Sequence, residues 1–320
     1  MSVFVTRKIR NEGIDLLKKA FKHVEVWEGD CACPRDLLLK KARTCFGLLT
    51  QLNDKIDEKV LNNQNLKIIS QNAVGFDNID VPAATKHGVI ISNTPGVLTD
   101  ACADQAWALM LAAARHLTES ERYIHAGCWK GSNPLLFLGH DFKHRTLGII
   151  GPGRIGYAVA RRSFGFDMRI LYYGPRTCED NGIGREVNLP TLLSESDYIV
   201  LTCNLNSSTK GLIGEKELAL MKPSSILINI SRGAVVQTDA LVKALQNGTI
   251  AAAGLDVFDP EPLPPNHPLL KLNNCVITPH IASATIATRA KMSAMAANAI
   301  IDAYNDKKIQ NCVNPEVYDQ

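Results

Sequence analysis

Four polar residues stand just after short apolar runs that have the composition of β-strands: Arg232, Asp256, Glu261 and His280. In an open α/β sheet, ligands bind outside the carboxyl ends of the strands, so these positions are the first candidates for chemistry. Taken singly, each has an ordinary alternative as an ion pair, a solvated turn or a structural histidine. The set of four is harder to explain that way. The preceding runs are Ile226–Ile230, Ala251–Leu255 and Cys275–Thr278.

These residue types suit hydride transfer between a nicotinamide and a 2-oxo acid. The Arg232 guanidinium can bind carboxylate and carbonyl oxygens as a fork. Reduction of a carbonyl also needs a proton, which an imidazolium such as His280 can supply near neutral pH. A carboxylate such as Glu261, hydrogen-bonded to that ring, favours its protonated form. The hypothesis assigns His280 as the acid, Glu261 as its partner and Arg232 as the substrate anchor.

A glycine-spaced turn supplies a place for the dinucleotide. The segment Thr146–Gly156 reads TLGIIGPGRIG, an apolar run followed by G-x-G-x-x-G and then by residues with helical apolar spacing. Gly151 permits the tight turn, Gly153 lets the backbone approach a pyrophosphate, and Gly156 lets the following helix lie close to the strand. A strand before the glycines and a helix after them make the motif more specific than the glycines alone, since the alternative is a simple turn between packed elements.

Strand and helix patterns alternate along most of the chain, which predicts an α/β fold with parallel sheets covered on both faces. Asp54 is expected to cap a helix over Ile56–Leu61, and one long helix over Thr99–Ala126 is expected to connect two domains. A final helix is predicted over Ser283–Tyr304. The predicted strands are Ser2–Thr6, Val24–Trp27, Phe46–Leu49, Leu66–Ser70, Val89–Ser92, Met168–Tyr173, Tyr198–Cys203, Ile226–Ile230, Ala251–Leu255 and Cys275–Thr278.

The composition narrows the class of protein. The 320 residues are 46% hydrophobic and 21% charged, which is typical of a globular protein of two ordinary domains. A net charge of +3 without long runs of like charge argues against nucleic acid or an anionic membrane as the main partner. Nine cysteines lack C-x-x-C or metal-ligand spacing. With no signal-peptide pattern at the N-terminus, reduced thiols, no metal and a cytoplasmic location are expected.

Several motifs together resemble the D-isomer-specific 2-hydroxyacid dehydrogenases, and most closely their glyoxylate/hydroxypyruvate reductase branch. The resemblance covers nearly the whole chain, and the order of its motifs is highly specific. The motifs are AVGFDNID at 73–80, TPGVLTD at 94–100, GPGRIG at 151–156, NISRG at 229–233, AAGLDVF at 252–258, PEPLP at 260–264 and TPHIASAT at 278–285.

The resemblance implies two doubly wound parallel-sheet domains with a cleft between them. A flavodoxin-like substrate domain would comprise residues 1–98 and 289–320, and a Rossmann cofactor domain would comprise residues 99–288. It also implies the roles proposed above for the Arg, Glu and His residues. The N–H groups of Val74 and Gly75 would hold the substrate carboxylate, and the family pairs as homodimers through the cofactor domain. Further cofactor positions are Arg154, Ile155, Asn204, Ile230 and Asp256, the last contacting the nicotinamide carboxamide.

The choice between NADH and NADPH can be argued from one position. NAD-type folds usually carry Asp or Glu about 20 residues beyond the glycine turn, where the acid accepts from the ribose 2′-OH. Gly174 stands where that acid is expected, and Arg176 follows it. A 2′-phosphate would therefore meet no repulsion and could pair with Arg176. NADPH is predicted over NADH.

The substrate remains open among small 2-oxo acids. In the reductase branch a second Trp commonly occupies the Gly-x-Trp loop, and Ser132 stands near that place here. Glyoxylate, hydroxypyruvate and a longer sugar acid such as 2-ketogluconate all remain candidates. Glu261 speaks against formate dehydrogenases, which carry Gln as the partner of the histidine. A non-catalytic role is the alternative outside enzymology, since transcriptional corepressors that sense dinucleotides share the fold and the Arg/Glu/His set.

Overall fold

The computed structural model describes residues 1–175 and 183–319. The chain divides into two compact units, Met1–Leu98 with Ala284–Gln320, and Thr99–Ser283. The chain returns to the first unit earlier than the expected boundary at 288/289. Each unit contains a parallel β-sheet with helices, which confirms the predicted α/β fold class.

The first unit is built on a five-stranded sheet with the order β2-β1-β3-β4-β5, all neighbours parallel. This 2-1-3-4-5 order is that of the flavodoxin-like fold. Successive strand residues face opposite layers, so Val3 and Val5 pack in one core while Phe4 packs in the other. The strands are β1 Ser2–Val5, β2 His23–Val26, β3 Gly47–Thr50, β4 Ile68–Gln71 and β5 Ile90–Ser92, and the helices are α1 Asn11–Ala20, α2 Arg35–Ala42, α3 Glu58–Leu61 and α4 Val81–Lys86.

Among the described residues, the second unit forms a seven-stranded parallel sheet with the order β12-β11-β10-β9-β6-β7-β8. Numbered within the unit, this is a Rossmann order extended by one strand. The strands are β6 Thr146–Ile150, β7 Arg169–Tyr173, β8 Arg185–Glu186, β9 Tyr198–Leu201, β10 Ile226–Asn229, β11 Ala252–Leu255 and β12 Cys275–Ile277. The helices are α5 Thr99–Ala114, α6 Leu117–His125, α7 Arg154–Arg162, α8 Leu189–Glu195, α9 Glu215–Leu220 and α10 Thr238–Gln246.

The C-terminal part of the chain completes the first unit. Helix α11, Ile286–Tyr304, packs against α1, and Gly13 of α1 lies so close to the Ser293 carbonyl that a Cβ there would overlap it. Beyond α11, Val313 N donates to Ile91 O (2.7 Å), so the last segment covers the edge strand β5. Within residues 1–175 and 183–319, the helices lack the length and apolar character that a membrane span requires.

Two local predictions are wrong. The helix expected over Thr99–Ala126 is two helices, α5 and α6, because His116 adopts a left-handed conformation (φ +54°) between them. Helix α5 packs on α7, β10 and β11, so it is part of the second unit and not a connector. Asp54 caps no helix, since α3 begins at Glu58. The Asp54 carboxylate is buried instead and accepts from the Thr6 hydroxyl (2.5 Å) and the Gln51 N–H (2.8 Å).

Candidate active site

Three adjacent strands of the second unit carry the candidate catalytic residues at their carboxyl ends. Strands β10, β11 and β12 lie side by side, and Arg232, Glu261 and His280 follow them in that order. In a parallel sheet these ends meet at one edge, which explains how residues far apart in sequence come together.

The closest contact in this group joins His280 and Glu261. His280 Nδ1 lies 2.5 Å from Glu261 Oε1, and 27% and 30% of the two side chains stay exposed. Burial raises the pKa of Glu261, but the hydrogen bond and the charge of His280 lower it more. The Phe258 N–H and the Arg232 charge also lower it, so the pKa of Glu261 lies below its usual value. The pair is therefore arranged to keep a carboxylate next to an imidazole that is still reachable from solvent.

Asp256 holds the turn that presents His280. Its carboxylate is fully buried and accepts from the Thr278 hydroxyl (2.6 Å), Ile281 N (2.9 Å) and Ala282 N (2.7 Å). Its carbonyl accepts from the N–H of His280, whose φ of +54° lies in the left-handed region. A buried carboxylate with three donors is stabilised in place, and here it fixes the backbone on both sides of the histidine.

Arg232 is placed by a tight turn after β10. The Asn229 side chain accepts from Ser231 N (3.0 Å) and donates to Arg232 O (2.9 Å), and the guanidinium donates to Ser231 O (2.8 Å). Gly233 follows directly, and a Cβ there would overlap the backbone of Phe258. The absence of a side chain at Gly233 thus lets the Arg232 turn pack on the loop that leads to Glu261.

The glycine turn between β6 and α7 fits a dinucleotide. Gly151 has a φ of +94°, and a Cβ on it would lie 2.5 Å from the Cys203 N atom. Thr202 Oγ1 donates to Gly151 O (2.7 Å) and so holds the turn. Gly153 precedes α7, and within the described part of the chain no side chain caps that helix start. The first N–H groups of α7 are therefore open to a pyrophosphate, which is the cradle that this motif forms.

The remaining predicted cofactor positions lie around this turn or after neighbouring strands. Asn204 is exposed after β9, while Ile230 is nearly buried directly after β10. Arg154 is exposed and Ile155 partly buried in the first turn of α7, and Gly156 packs against Gly151 O. Gly174 follows β7 with a φ of +113°, and a Cβ on it would come within 3.6 to 3.8 Å of Pro152 and Gly151. Arg176 lies outside the described residues.

In the first unit, Val74 and Gly75 form a turn after β4 and are both partly buried. Their carbonyls are held from inside the unit, Val74 O by Asn93 Nδ2 (2.8 Å) and Gly75 O by Gln71 Nε2 (3.4 Å). Within the described ranges, no protein acceptor receives a hydrogen bond from the N–H of either residue.

Comparison with known proteins agrees with this architecture. Residues 107–282 match the model of the D-isomer specific 2-hydroxyacid dehydrogenase, NAD binding domain. The chain belongs to the D-isomer-specific 2-hydroxyacid dehydrogenase family. The resemblance inferred from the motifs is thereby confirmed, and the chain is an NAD(P)-dependent 2-hydroxyacid dehydrogenase.

Full-length relatives exist both as sequences and as structures. A glyoxylate reductase of Thermococcus litoralis is 50% identical, with 98% of this chain and 97% of the relative covered. A crystal structure of a protein from Thermus thermophilus superposes with a TM-score of 0.92 at 41% identity, covering 98% and 100% of the two chains. The structure of an NADPH-dependent glyoxylate/hydroxypyruvate reductase from Sinorhizobium meliloti was solved with NADP and malonate. It superposes with a TM-score of 0.87 at 32% identity, covering 98% of this chain and 97% of the relative.

Sequence reasoning missed the residues that hold these turns in shape. Thr202, Asn229, Thr278 and Asn93 all make the hydrogen bonds described above. Each also follows or ends a strand, so strand-end position includes them among its candidates. Their side chains are small and uncharged, and for that reason the sequence did not distinguish them from other polar residues.

Proposed function

We propose that this dehydrogenase is an NADPH-dependent reductase that transfers hydride to small 2-oxo acids, glyoxylate and hydroxypyruvate first among them, and yields D-2-hydroxy acids. The observation that carries the proposal is the His280–Glu261 pair at 2.5 Å, placed beside Arg232 on the sheet that bears the glycine turn. The names of the Thermococcus and Sinorhizobium relatives support the substrate class.

The mechanism follows from the geometry of the imidazole. Because Nδ1 faces Glu261, Nε2 is the nitrogen that can face substrate. When bound, the dihydronicotinamide supplies the hydride that adds to the carbonyl carbon. His280 donates its proton to the carbonyl oxygen, which becomes the hydroxyl of the product. Glu261 stays ionised, as its lowered pKa favours, and orients the ring through Nδ1.

Binding of the substrate is assigned to two kinds of donor. The Arg232 fork suits a carboxylate and the adjacent carbonyl oxygen together. The N–H groups of Val74 and Gly75 would hold the carboxylate, and their lack of protein acceptors within the described residues supports that role.

Preference for NADPH is part of the proposal. Gly174 puts no acidic side chain next to Gly151 and Pro152, where an aspartate or glutamate would face the ribose 2′ position. Arg176 would pair with a 2′-phosphate. The NADPH-dependent relative from Sinorhizobium meliloti supports the same choice.

A homodimer in a reducing compartment completes the proposal. Helix α6 has no buried residue, and large apolar side chains stay exposed along residues 117–138 of the second unit. An exposed apolar surface of this kind usually marks a protein interface. Seven described cysteines form no disulfide, which supports a cytoplasmic location: Cys31, Cys33, Cys45, Cys128, Cys203, Cys275 and Cys312.

The test is a set of initial rates measured with each combination of 2-oxo acid and cofactor. We expect turnover of glyoxylate and hydroxypyruvate with NADPH, and a lower kcat/KM with NADH. Including 2-ketogluconate decides between small and longer acids. His280→Gln is expected to lower kcat/KM by roughly 10²- to 10⁴-fold, and Arg232→Ala by at least about 30-fold. NADPH binding should persist in both variants.

Cofactor choice has its own pair of variants. Arg176→Ala should raise the KM for NADPH roughly 10-fold and leave the KM for NADH unchanged, since only NADPH offers a 2′-phosphate. Arg161→Ala, at the far end of α7 and exposed, is the control. Tight NADPH binding without turnover of any 2-oxo acid would instead favour the dinucleotide-sensing role. A preference for NADH would contradict the assignment of NADPH but not the proposed reductase activity.

A further inference from the structure

The turn after β4 has every carbonyl from Ala73 to Gly75 held by a donor within the first unit. Thr94 N donates to Ala73 O (2.9 Å), and Asn93 Nδ2 donates to Val74 O (2.8 Å). Gly75 O accepts the longer bond from Gln71 Nε2. The turn is thus fixed by groups at the carboxyl ends of β4 and β5.

Holding a carbonyl also aims the N–H that follows it. A trans peptide is planar, so its C=O and N–H point in opposite directions. The Thr94 bond to Ala73 O therefore directs the N–H of Val74 away from β5. In the same way, the Asn93 side chain directs the N–H of Gly75. The two N–H groups assigned to the substrate carboxylate are thus oriented through the carbonyls on the other side of their peptides. The backbone N–H of Thr94 orients one, and the side chain of Asn93 orients the other.

The Asn93 side chain is itself well anchored. Asn93 is nearly buried, and its backbone pairs in both directions with Asn311 of the C-terminal segment. The side chain of Asn314, in the same segment, binds the N-terminal part of β5. It accepts from Ile91 N and donates to Val89 O. Because the strand end cannot shift easily, the amide of Asn93 can set the position of Val74 O.

We propose that Asn93 is a positioning residue for carboxylate binding, acting through the Val74–Gly75 peptide and not by contact with substrate. The proposal rests on the proposed function, because it assumes that these N–H groups bind the substrate carboxylate. Loss of the Asn93 donor would let this peptide rotate and misdirect the Gly75 N–H. Since the carboxylate does not change during reduction, such a loss weakens ground state and transition state alike.

Asn93→Asp tests this with almost no change in shape, because it replaces the donating amide by a carboxylate oxygen. We expect the KM for glyoxylate to rise roughly 10-fold, as for a lost hydrogen bond in a buried site, with kcat within about threefold. The inhibition constant of oxalate, used as a probe of carboxylate binding, should rise by a similar factor. The Kd for NADPH should not change.

Asn65→Asp is the matched control. Asn65 Nδ2 donates to Arg43 O (2.8 Å) in the same unit, but before β4 and not after it. This variant should keep the KM for glyoxylate and the inhibition constant of oxalate. Asn93→Ser, which removes the donor without adding charge, decides by the same criteria if Asn93→Asp does not fold.

Failure of the two proposals can be told apart. If the unaltered chain turns over no 2-oxo acid, the proposed function fails first. If it does turn over glyoxylate while the Asn93 variants keep its KM and the oxalate inhibition constant, only the positioning role is overturned. A lower Tm with unchanged substrate constants would likewise show a purely structural role and overturn it.

Discussion

At the scale of single residues, the proposed chemistry rests on one short contact between His280 and Glu261. The hydrogen bond and charge of His280 hold the pKa of Glu261 below its usual value, so the carboxylate stays ionised beside the ring. The same hydrogen bond fixes the orientation of the imidazole. Asp256, expected from the family to contact the nicotinamide, uses both carboxylate oxygens on the turn around His280. In the proposed mechanism, Asp256 therefore holds His280 in place.

Replacing Glu261 by Gln tests the pair. We expect kcat/KM for reduction to fall roughly 10- to 100-fold, the equivalent of about 1.5 to 3 kcal/mol for a hydrogen bond between charged groups. The loss should be present wherever Glu261 is ionised, that is above its lowered pKa, because glutamine lacks the charge that the carboxylate supplies there. Steady-state rates from about pH 5 to 9, above the ordinary pKa of a glutamate, measure this loss.

Glu119→Gln is the control, since Glu119 also pairs with a histidine, His116 (3.1 Å), but on α6. A Glu261→Gln profile that overlays the control would contradict the assignment.

The lowered pKa of Glu261 also makes the stability of the fold depend on pH. Because folding lowers the pKa of Glu261 from 4.5, its stabilisation is present above that value and is lost as the pH falls through the folded pKa.

At the scale of elements, the site depends on how closely two loops pack. The turn after β10 carries Arg232, and the loop after β11 carries Glu261. Gly233 lies against the Phe258 backbone with no room for a methyl group. The spacing between Arg232 and Glu261 therefore depends on Gly233, which has no side chain.

Gly233→Ala should push these loops apart. Overpacking of this kind typically costs about 1 to 3 kcal/mol, so the Tm should fall by several degrees. Activity should fall further than the loss of stability explains, because Arg232 and Glu261 both move. Thermal denaturation and kcat/KM measured below the transition separate the two effects.

Gly165→Ala provides the comparison, since an added Cβ there meets no atom within 4 Å. It should leave both Tm and kcat/KM close to those of the unaltered chain. Equal behaviour of the two variants would show that the Gly233 contact is not important for the site.

At the scale of the whole molecule, the chain leaves the first unit at Leu98 and returns to it at Ala284. The second unit is thus inserted into the first. The returning segment contributes α11 and covers the edge of β5, where an open edge would otherwise invite pairing with other chains. The apolar surface along residues 117–138 belongs to the inserted unit and is left without cover in the single chain.

A double variant tests whether that surface joins two copies. Leu117 and Ile124 are 54% and 57% exposed on α6, and replacing both by Glu would put charges into the proposed interface. We expect the unaltered chain to sediment as a dimer and the Leu117→Glu, Ile124→Glu variant as a monomer. Phe164→Glu, 58% exposed elsewhere in the same unit, should remain dimeric. A monomeric unaltered chain would contradict the homodimer.

Patterns that are local in sequence determined much of this protein. Alternating apolar runs located ten strands within a few residues of their observed bounds, and the glycine turn marked the start of α7. Strand-end position together with residue chemistry singled out Arg232, Asp256, Glu261 and His280. These features could be predicted because hydrogen-bond periodicity and the conformational freedom of glycine act over a few residues.

Only the tertiary structure decided the contacts between distant segments. The break at His116 has no glycine or proline to mark it, and the two-residue strand β8 has no apolar run. The bonds of Asp256 to the turn after β12, and of Asn93 to Val74 O, join groups far apart along the chain. Such bonds depend on which strands lie side by side, and strand order is fixed by packing of the whole sheet and not by local pattern.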